Sequence, residues 1–207
     1  MIRTESLKFS YQDNHMNFPN IQLNNGEPLL IIGPSGIGKT TLLHLLAGIQ
    51  RPESGRIFIN EQNISNLDIQ SLDEFRGQNI GIVFQKARFI KSLNLIESLL
   101  LVQHIGQHKR DPAKCMELLS ELNIDQYASS KPQSLSQGEQ QRACIAMALI
   151  NNPAVILADE PTASLDDTNC QSVIELLLKE VKLHESHLVV ITHDHRVKAY
   201  FDNVLQL

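Results

Sequence analysis

The sequence predicts an α/β protein with a parallel β-sheet at its core, and three observations support that prediction. Four short apolar runs recur along the 207-residue chain, at residues 28–32, 80–84, 154–158 and 187–192. Continuous apolar runs of this length are typical of strands buried on both faces of a parallel sheet. A glycine-rich segment follows the first run directly, and polar or charged residues follow the others. Open α/β sheets bind their ligands at that edge of the strands.

The other elements are predicted from shorter patterns. Alternating apolar and polar residues at Ile2–Phe9 and Arg56–Asn60 indicate antiparallel strands, which we expect within residues 1–27 and 55–66. Residues 87–150 are mostly helical in pattern, and the clearest helices are predicted over Leu95–Ile105 and Ala113–Leu122. The sheet and the helical region together predict one domain that contains smaller subdomains.

The glycine-rich segment GPSGIGKT, Gly33–Thr40, has the pattern of a loop that binds a triphosphate between a strand and a helix. Its glycines allow successive backbone N–H groups to point inward, and the helix that begins near Lys39 adds its positive dipole end. Lys39 would reach the β- and γ-phosphates, and the Thr40 hydroxyl would be a ligand of Mg²⁺. The predicted loop residues are Gly33, Pro34, Ser35, Gly36, Ile37, Gly38, Lys39, Thr40 and Thr41, of which the last supports the turn.

Two carboxylates, Asp159 and Glu160, end the apolar run at residues 154–158. Their position at the carboxyl end of a strand places them at the same sheet edge as the phosphate loop. Asp159 is predicted to support the Mg²⁺ ion, and Glu160 to face the γ-phosphate and polarise the attacking water as a general base.

A second motif, LSQGEQQR at Leu135–Arg142, lies between the phosphate loop and these carboxylates. With it the chain resembles the nucleotide-binding subunit of an ABC transporter over essentially all of its length, because LSQGE is similar to that family's signature LSGGQ. The resemblance implies a P-loop NTPase of ABC-ATPase type, with a parallel-sheet core, an antiparallel β subdomain and a helical subdomain. In this single domain, residues 1–86 and 151–207 would form the ATP-binding core with the antiparallel subdomain, and residues 87–150 the helical subdomain with the signature.

In the family, two subunits meet head to tail, and the signature of one closes over ATP held by the other. Ser136 and Gly138 would therefore contact a phosphate from the start of a helix that we expect over about residues 137–150. Ser136 followed by Glu139 is also a capping-box pattern, which by itself indicates only the start of a helix. Gln137 and Glu139 depart from the glycine and glutamine that are usual in the family.

Two further polar residues match catalytic positions of the family. Gln85 follows the apolar run 80–84 and matches the glutamine that senses Mg²⁺ and the attacking water. His193 follows the run 187–192 and matches the histidine that hydrogen-bonds the γ-phosphate and holds the water and Glu160 in place.

Two more matches concern the adenine and the dimer interface. Ser164–Asp166 match the loop that crosses the interface beside the opposite ATP, so Asp166 is a predicted nucleotide-binding residue. Tyr11 lies upstream of the phosphate loop, where the family places an aromatic ring that stacks on adenine. Phe9 and Phe18 compete with Tyr11 for this role.

The segment at residues 86–98 follows Gln85 and, in the family, would line a groove that receives a short coupling helix of a membrane subunit. Apolar residues provide a surface there, at Phe89, Ile90, Leu93 and Leu95. Ordinary packing within the helical subdomain is the alternative interpretation, because helical spacing of apolar residues is typical of a core.

The resemblance implies an ATPase that uses ATP and Mg²⁺ and drives transport by closing a dimer around the nucleotide. Its partners would be a second ABC ATPase subunit, in a homodimer, and an integral membrane permease. Two alternatives stay open: a nucleotide-gated regulator of a membrane partner without transport, and a soluble ABC ATPase acting on nucleic acid. The general pattern is most similar to the lipoprotein-release, macrolide-efflux and cell-division group.

Composition predicts a cytoplasmic protein, and the resemblance implies that it is held on the inner face of the cell membrane through its permease partner. No stretch approaches the roughly 18 apolar residues of a membrane span, and residues 1–10 lack the pattern of a secretion leader. The three cysteines have no metal-binding spacing and fit reduced thiols. The net charge of −5 leads us to expect no nucleic-acid partner.

The eight histidines do not predict a metal site. His104 and His108 are four residues apart on a predicted helix, but no set of acidic or cysteine partners lies nearby to complete the coordination. His184, His187 and His195 likewise have no set of partners in the sequence. The predicted metal ligands are therefore the Mg²⁺ ligands Thr40, Gln85 and Asp159.

Overall fold

The computed structural model describes residues 1–11, 14–24, 26–85, 88–163 and 165–207. The strands are β1 (Ile2–Tyr11), β2 (Asn14–Asn17), β3 (Gln22–Leu23), β4 (Leu29–Ile32), β5 (Ser54–Ile59), β6 (Gln62–Asn63), β7 (Ile80–Val83), β8 (Val155–Asp159), β9 (His187–Thr192) and β10 (Asn203–Gln206). The α-helices are α1 (Lys39–Leu46), α2 (Ile69–Asn79), α3 (Leu95–Ile105), α4 (Pro112–Glu121), α5 (Gln137–Leu149) and α6 (Asp167–Leu183).

A five-stranded parallel sheet lies at the centre, in the order β10-β4-β9-β8-β7. The four strands predicted from apolar runs are all present, with ends that differ from the prediction by one residue at most. The fifth strand, β10, extends the sheet beside β4 at one edge. This order places the ends of β4, β8 and β9 side by side, so the segments that follow them meet at one edge of the sheet.

Side chains of the parallel sheet alternate between two hydrophobic cores. On β4, Leu30 and Ile32 pack into one core with α3, α4, α5 and α6, while Leu29 and Ile31 pack into another with α1 and the antiparallel sheet. All four residues are at most 4% exposed. Burial on both faces explains why these strands read as uninterrupted apolar runs.

The predicted antiparallel sheet is also present, in the order β2-β1-β5-β6, with β3 paired to β1. The pairing of β1 with β5 is irregular between Glu5 and Lys8, where Ser6 adopts a left-handed backbone with a φ of 48°. Gly55 lies opposite, and a Cβ atom there would be 2.5 Å from the carbonyl oxygen of Glu5. The close approach of the two strands therefore requires glycine at this position.

Side-chain caps fix where the helices of the 87–150 region begin. Asn94 and Glu97 form a capping box at α3, and Asp111 accepts a hydrogen bond from the Lys114 N–H at α4, whose first residue is Pro112. The predicted helices are confirmed to within one residue at each end. The division of the domain into subdomains at residues 87 and 150 stays a prediction. No helix in the described part of the chain is long and apolar enough to cross a membrane.

Candidate nucleotide site

The loop between β4 and α1 has the geometry of a phosphate cradle. Gly36 and Gly38 have φ angles of 82° and 105°, in the left-handed region that favours glycine, and Gly38 is the N-cap of α1. The loop forms one wall of an open cleft of about 310 Å³. Eleven residues line this cleft: Met16, Ser35, Gly36, Gly38, Lys39, Thr40, Thr41, Gln85, Asp159, Glu160 and His193.

Lys39 places a buried positive charge at the base of the cleft. Its side chain is 7% exposed, and its ammonium donates hydrogen bonds to the carbonyl oxygens of Gly33 and Pro34, at 2.8 and 3.1 Å. The Nζ atom also lies 4.0 Å from a carboxylate oxygen of Glu160. The lysine thus braces the loop, and the third N–H donor of its ammonium is left to bind an anion.

Thr40 and Asp159 meet across the cleft. The Thr40 hydroxyl lies 3.4 Å from Oδ1 of Asp159, and the exposed Gln85 lies on the same cleft. Hydroxyl, carboxylate and amide oxygens are the hard donors that Mg²⁺ prefers. The pKa of Asp159 is raised, first because the carboxyl is buried and second because the negative charge of Glu160 is adjacent. A cation between these groups would offset both effects, so the residues present fit a Mg²⁺ ion.

This pKa shift predicts that Asp159→Asn stabilises the nucleotide-free protein. A carboxyl whose folded pKa lies above its unfolded value lowers stability once the pH rises above the unfolded value, near 3.8 for Asp. The thermal midpoint of Asp159→Asn should therefore exceed that of the wild type at pH 7, and the difference should shrink toward pH 3.5. Thermal denaturation across this pH range measures it, with the exposed Asp202→Asn as the control. A midpoint of Asp159→Asn below that of the wild type at pH 7 would contradict the conclusion that the charged Asp159 carboxylate destabilises the nucleotide-free protein.

Glu160 is held by several hydrogen bonds at the end of β8. Its backbone is left-handed, with a φ of 49°, and its N–H donates to the carbonyl of Ile191 at 2.8 Å. Thr192 Oγ1 donates to Oε2 at 2.6 Å, and the His193 N–H lies 3.2 Å from both carboxylate oxygens. Nδ1 of His193 lies 2.8 Å from Oε1. A strained backbone held by its surroundings is typical of functional sites.

Two residues at this site, Thr192 and Met16, were not predicted by the sequence analysis. Thr192 is fully buried and belongs to an apolar strand, so only its contact with Glu160 identifies it. Met16 lines both the phosphate cleft and a neighbouring cavity of about 630 Å³, which Gly36 also borders. The position of Met16 on a short strand beside the loop gave no signal in the sequence.

Four predicted site residues that do not belong to the phosphate loop lie outside the cleft of their own chain. Ser136, Gly138, Asp166 and Tyr11 are not among the residues that line either cavity. Tyr11 ends β1 and is 63% exposed, so its stacking on adenine stays a prediction. Asp166 caps α6 by accepting hydrogen bonds from Asn169, which lowers the pKa of its carboxyl. Ser164 lies outside the described residues.

The signature segment forms the N-terminus of α5, as predicted. Ser136 is the N-cap, and it forms a capping box with Glu139: Oγ of Ser136 accepts from the Glu139 N–H, and the Glu139 carboxylate accepts from the Ser136 N–H. Ser136 is exposed. The cap occupies only an acceptor site of the hydroxyl, so its O–H can still donate to a ligand.

The sequence pattern of the ABC transporter family matches residues 16–163, a span that includes the phosphate loop, the signature and both carboxylates. The chain belongs to the ABC transporter family. The fold and the ATPase activity predicted from the sequence are confirmed by this match and by the relatives of the cassette.

One relative is the lipoprotein-releasing system ATP-binding protein LolD of Syntrophotalea carbinolica, which is 38% identical over 90% of this chain and 83% of its own length. The solved ATP-binding cassette MJ0796, a dimer in a post-hydrolysis state bound to ADP and Pi, is 30% identical with a TM-score of 0.88, covering 100% of this cassette and 94% of that chain. CbiO1 of Clostridium perfringens, part of the ABC transporter complex cbiONQ, is 28% identical with a TM-score of 0.85, covering 99% and 83%. The cassette is thus an ATP-binding subunit of a membrane ABC transporter, and the two alternative functions are not favoured.

Proposed function

We propose that two copies of this cassette bind and hydrolyse ATP at sites shared between them, and that dimer closure drives a membrane permease of the lipoprotein-release group. One observation carries the proposal. The phosphate loop and the carboxylates of Asp159 and Glu160 line one cleft, whereas the signature of the same chain lies outside it. Each cleft therefore lacks a signature of its own, and the dimeric state of the relative MJ0796 supports a partner that supplies it.

Within one cleft, the chain's own residues would hold the triphosphate. Lys39 and the backbone N–H groups around Gly36 and Gly38 would bind the phosphate oxygens, since they place positive charge and donors at one point. Thr40, Gln85 and Asp159 would hold Mg²⁺, which when bound would offset the negative charge of the phosphates.

Glu160 would act as the general base. Its carboxylate lies in the phosphate cleft, 12% exposed, and Thr192 and His193 fix both oxygens. A carboxylate held in this way can accept a hydrogen bond from a water aligned for attack on the γ-phosphate. His193 is 60% exposed, so its free ring nitrogen is accessible to the nucleotide.

The partner subunit would complete the site with the N-terminus of its α5. That end presents the Ser136 hydroxyl, the first-turn N–H groups and the positive end of the helix dipole. Gly138 leaves room for close approach, because the nearest atom to a Cβ there would be Oδ1 of Asn169 at 3.8 Å. ATP would then hold the two copies together until hydrolysis separates ADP from phosphate.

The membrane partner would dock near residues 88–95, at the entrance of the helical region. Ile90 is 52% exposed, whereas Phe89 packs partly against the core and Leu95 is 2% exposed. Of the predicted coupling surface, Ile90 is therefore the residue most available to a permease. Docking there would place the cassette on the inner face of the cell membrane, and the LolD relatives support a lipoprotein-releasing permease as the partner.

The variant Ile90→Asp tests this proposal. A charge on an exposed apolar contact should weaken permease binding by about tenfold or more, while the nucleotide cleft is untouched. We expect the variant to lose co-purification with its permease from detergent-solubilised membranes and to keep the ATPase activity of the isolated cassette.

Leu183→Asp is the matched control, because Leu183 is an apolar residue of α6 with similar exposure, 58%. It should retain the permease. Equal retention of the permease by both variants would contradict docking at Ile90. If Ile90→Asp lost the ATPase activity of the isolated cassette as well as the permease, the loss of the permease would indicate a folding defect instead.

A further inference from the structure

Three side chains from two helices converge at a point that the nucleotide site does not use. Glu121 ends α4, and Glu180 and His184 lie one turn apart at the end of α6. Each offers one ligand atom, and these atoms lie within 4.8 Å of one another. The sequence analysis gave His184 no partners, because Glu121 comes from a distant segment and only the packing of the helices brings it close.

Glu180 is the unusual member of this cluster. It is fully buried, and neither of its carboxylate oxygens accepts a hydrogen bond from the residues that the structure describes. Oε2 lies 3.7 Å from Nε2 of His184, a buried atom that also has no hydrogen bond within the described part of the chain. Oε1 lies 3.3 Å from Nζ of Lys179, a side chain that is 63% exposed. A buried carboxylate without hydrogen bonds destabilises a protein unless a cation neutralises it.

The cluster is accessible from solvent. A cavity of about 420 Å³ is lined by Glu121 and His184 together with Asp111, Glu117 and Lys114. His184 is 20% exposed, so the two rim ligands face the cavity while Glu180 lies behind them. An ion could enter by this route, attracted by the acidic residues at its edge.

The ligand set indicates which ion would bind. One imidazole nitrogen with two carboxylate oxygens suits Zn²⁺ and related transition metals, whereas Mg²⁺ and Ca²⁺ prefer oxygen ligands alone. Ligands of a tetrahedral Zn²⁺ ion lie about 3.4 Å apart, given metal–ligand distances of about 2.1 Å. The 3.7 Å between Glu180 and His184 is close to that value, and a small movement of Glu121 would complete three protein ligands.

We propose that Glu121, Glu180 and His184 bind a Zn²⁺-type ion that links α4 to α6, at a site separate from the nucleotide cleft. The ion would neutralise the two carboxylates, and the exposed Lys179 would turn toward solvent as the ion takes its place. Three protein ligands would leave the fourth position to water.

The test is a Zn²⁺ titration of the full chain, stripped with EDTA, without a histidine tag or nucleotide, in competition with a chromophoric chelator. We expect one Zn²⁺ per chain from this site and a higher thermal midpoint when the ion is bound. Glu121→Gln and His184→Gln should each weaken binding by at least about tenfold and remove the thermal shift. Both residues are partly exposed, so these variants should fold.

The controls are Glu117→Gln, on the same face of the cavity, and His195→Gln, an exposed histidine outside the cluster. Both should bind Zn²⁺ as the wild type does. Two results would overturn the proposal: a wild-type chain that binds no Zn²⁺ at concentrations of about 100 micromolar, or binding that neither ligand variant weakens. The second result would place the ion elsewhere, for example at the nucleotide cleft.

Discussion

Glu160→Gln is expected to lower the rate of ATP hydrolysis by about 100-fold to 10,000-fold, the usual contribution of a general base. The amide keeps the size of the side chain and an oxygen that can accept the Thr192 hydrogen bond, but it can no longer take a proton from water. ATP binding should persist, since Lys39 and the phosphate loop are unchanged. ATP-bound dimers should therefore accumulate, and size-exclusion chromatography with ATP would detect them beside a steady-state ATPase assay.

Glu175→Gln is the control for this variant, because Glu175 is an exposed glutamate of α6 whose carboxylate bonds only Gln171 among the described contacts. Its turnover and dimer fraction should equal those of the wild type. Normal turnover in Glu160→Gln would show that this carboxylate is not the base.

The second large effect is expected from substitutions in the phosphate loop or in the signature, the two segments that form the shared site. Lys39→Ala removes the buried cation of the cleft, and hydrogen bonds to charged groups are worth about 1.5–3 kcal/mol each. The affinity for ATP should fall by about 10-fold to 100-fold. A nucleotide-binding titration measures this, and Lys182→Ala on the surface of α6 should bind ATP normally.

Gly138→Asp attacks the other half of the site. The position is free of clashes within its own chain, and an acidic residue in the first turn of α5 is favoured by the helix dipole. The variant should fold and bind ATP in its own cleft, yet it would place a negative charge against the phosphates of its partner's nucleotide. We expect hydrolysis to fall by about 5-fold to 1,000-fold, since like charges at a few ångströms cost about 1–4 kcal/mol even near solvent.

The features that the sequence predicted well are those fixed by local chemistry. The phosphate loop needs glycine at left-handed positions such as Gly36 and Gly38, and the capping box of α5 lies within four residues. The parallel strands were visible because burial on both faces removes polar residues from them. Each of these features depends on neighbours in the chain, so a single sequence shows it.

The missed features depend on neighbours in space. Helix α2 packs Leu72 and Phe75 against a core, a pair too short to predict a helix, and β10 is a strand because it pairs with β4. The bond from Thr192 to Glu160 and the meeting of Glu121 with His184 join distant segments. Arg196 likewise ties Asp194 to Asp167 and to the carbonyl of Leu165, a network with no pattern in the sequence.

The most direct test of the shared site is to mix the two defective variants. In a head-to-tail dimer of Lys39→Ala with Gly138→Asp, one site carries both defects, and the other combines an intact Lys39 with an intact Gly138. The account predicts that, at an ATP concentration near the wild-type dissociation constant, each variant alone loses most of its ATPase activity. An equimolar mixture should recover activity, up to about one active site in each mixed dimer. A mixture that forms mixed dimers, as shown by pull-down of differently tagged copies, but stays as inactive as its components would contradict a nucleotide site built from two chains.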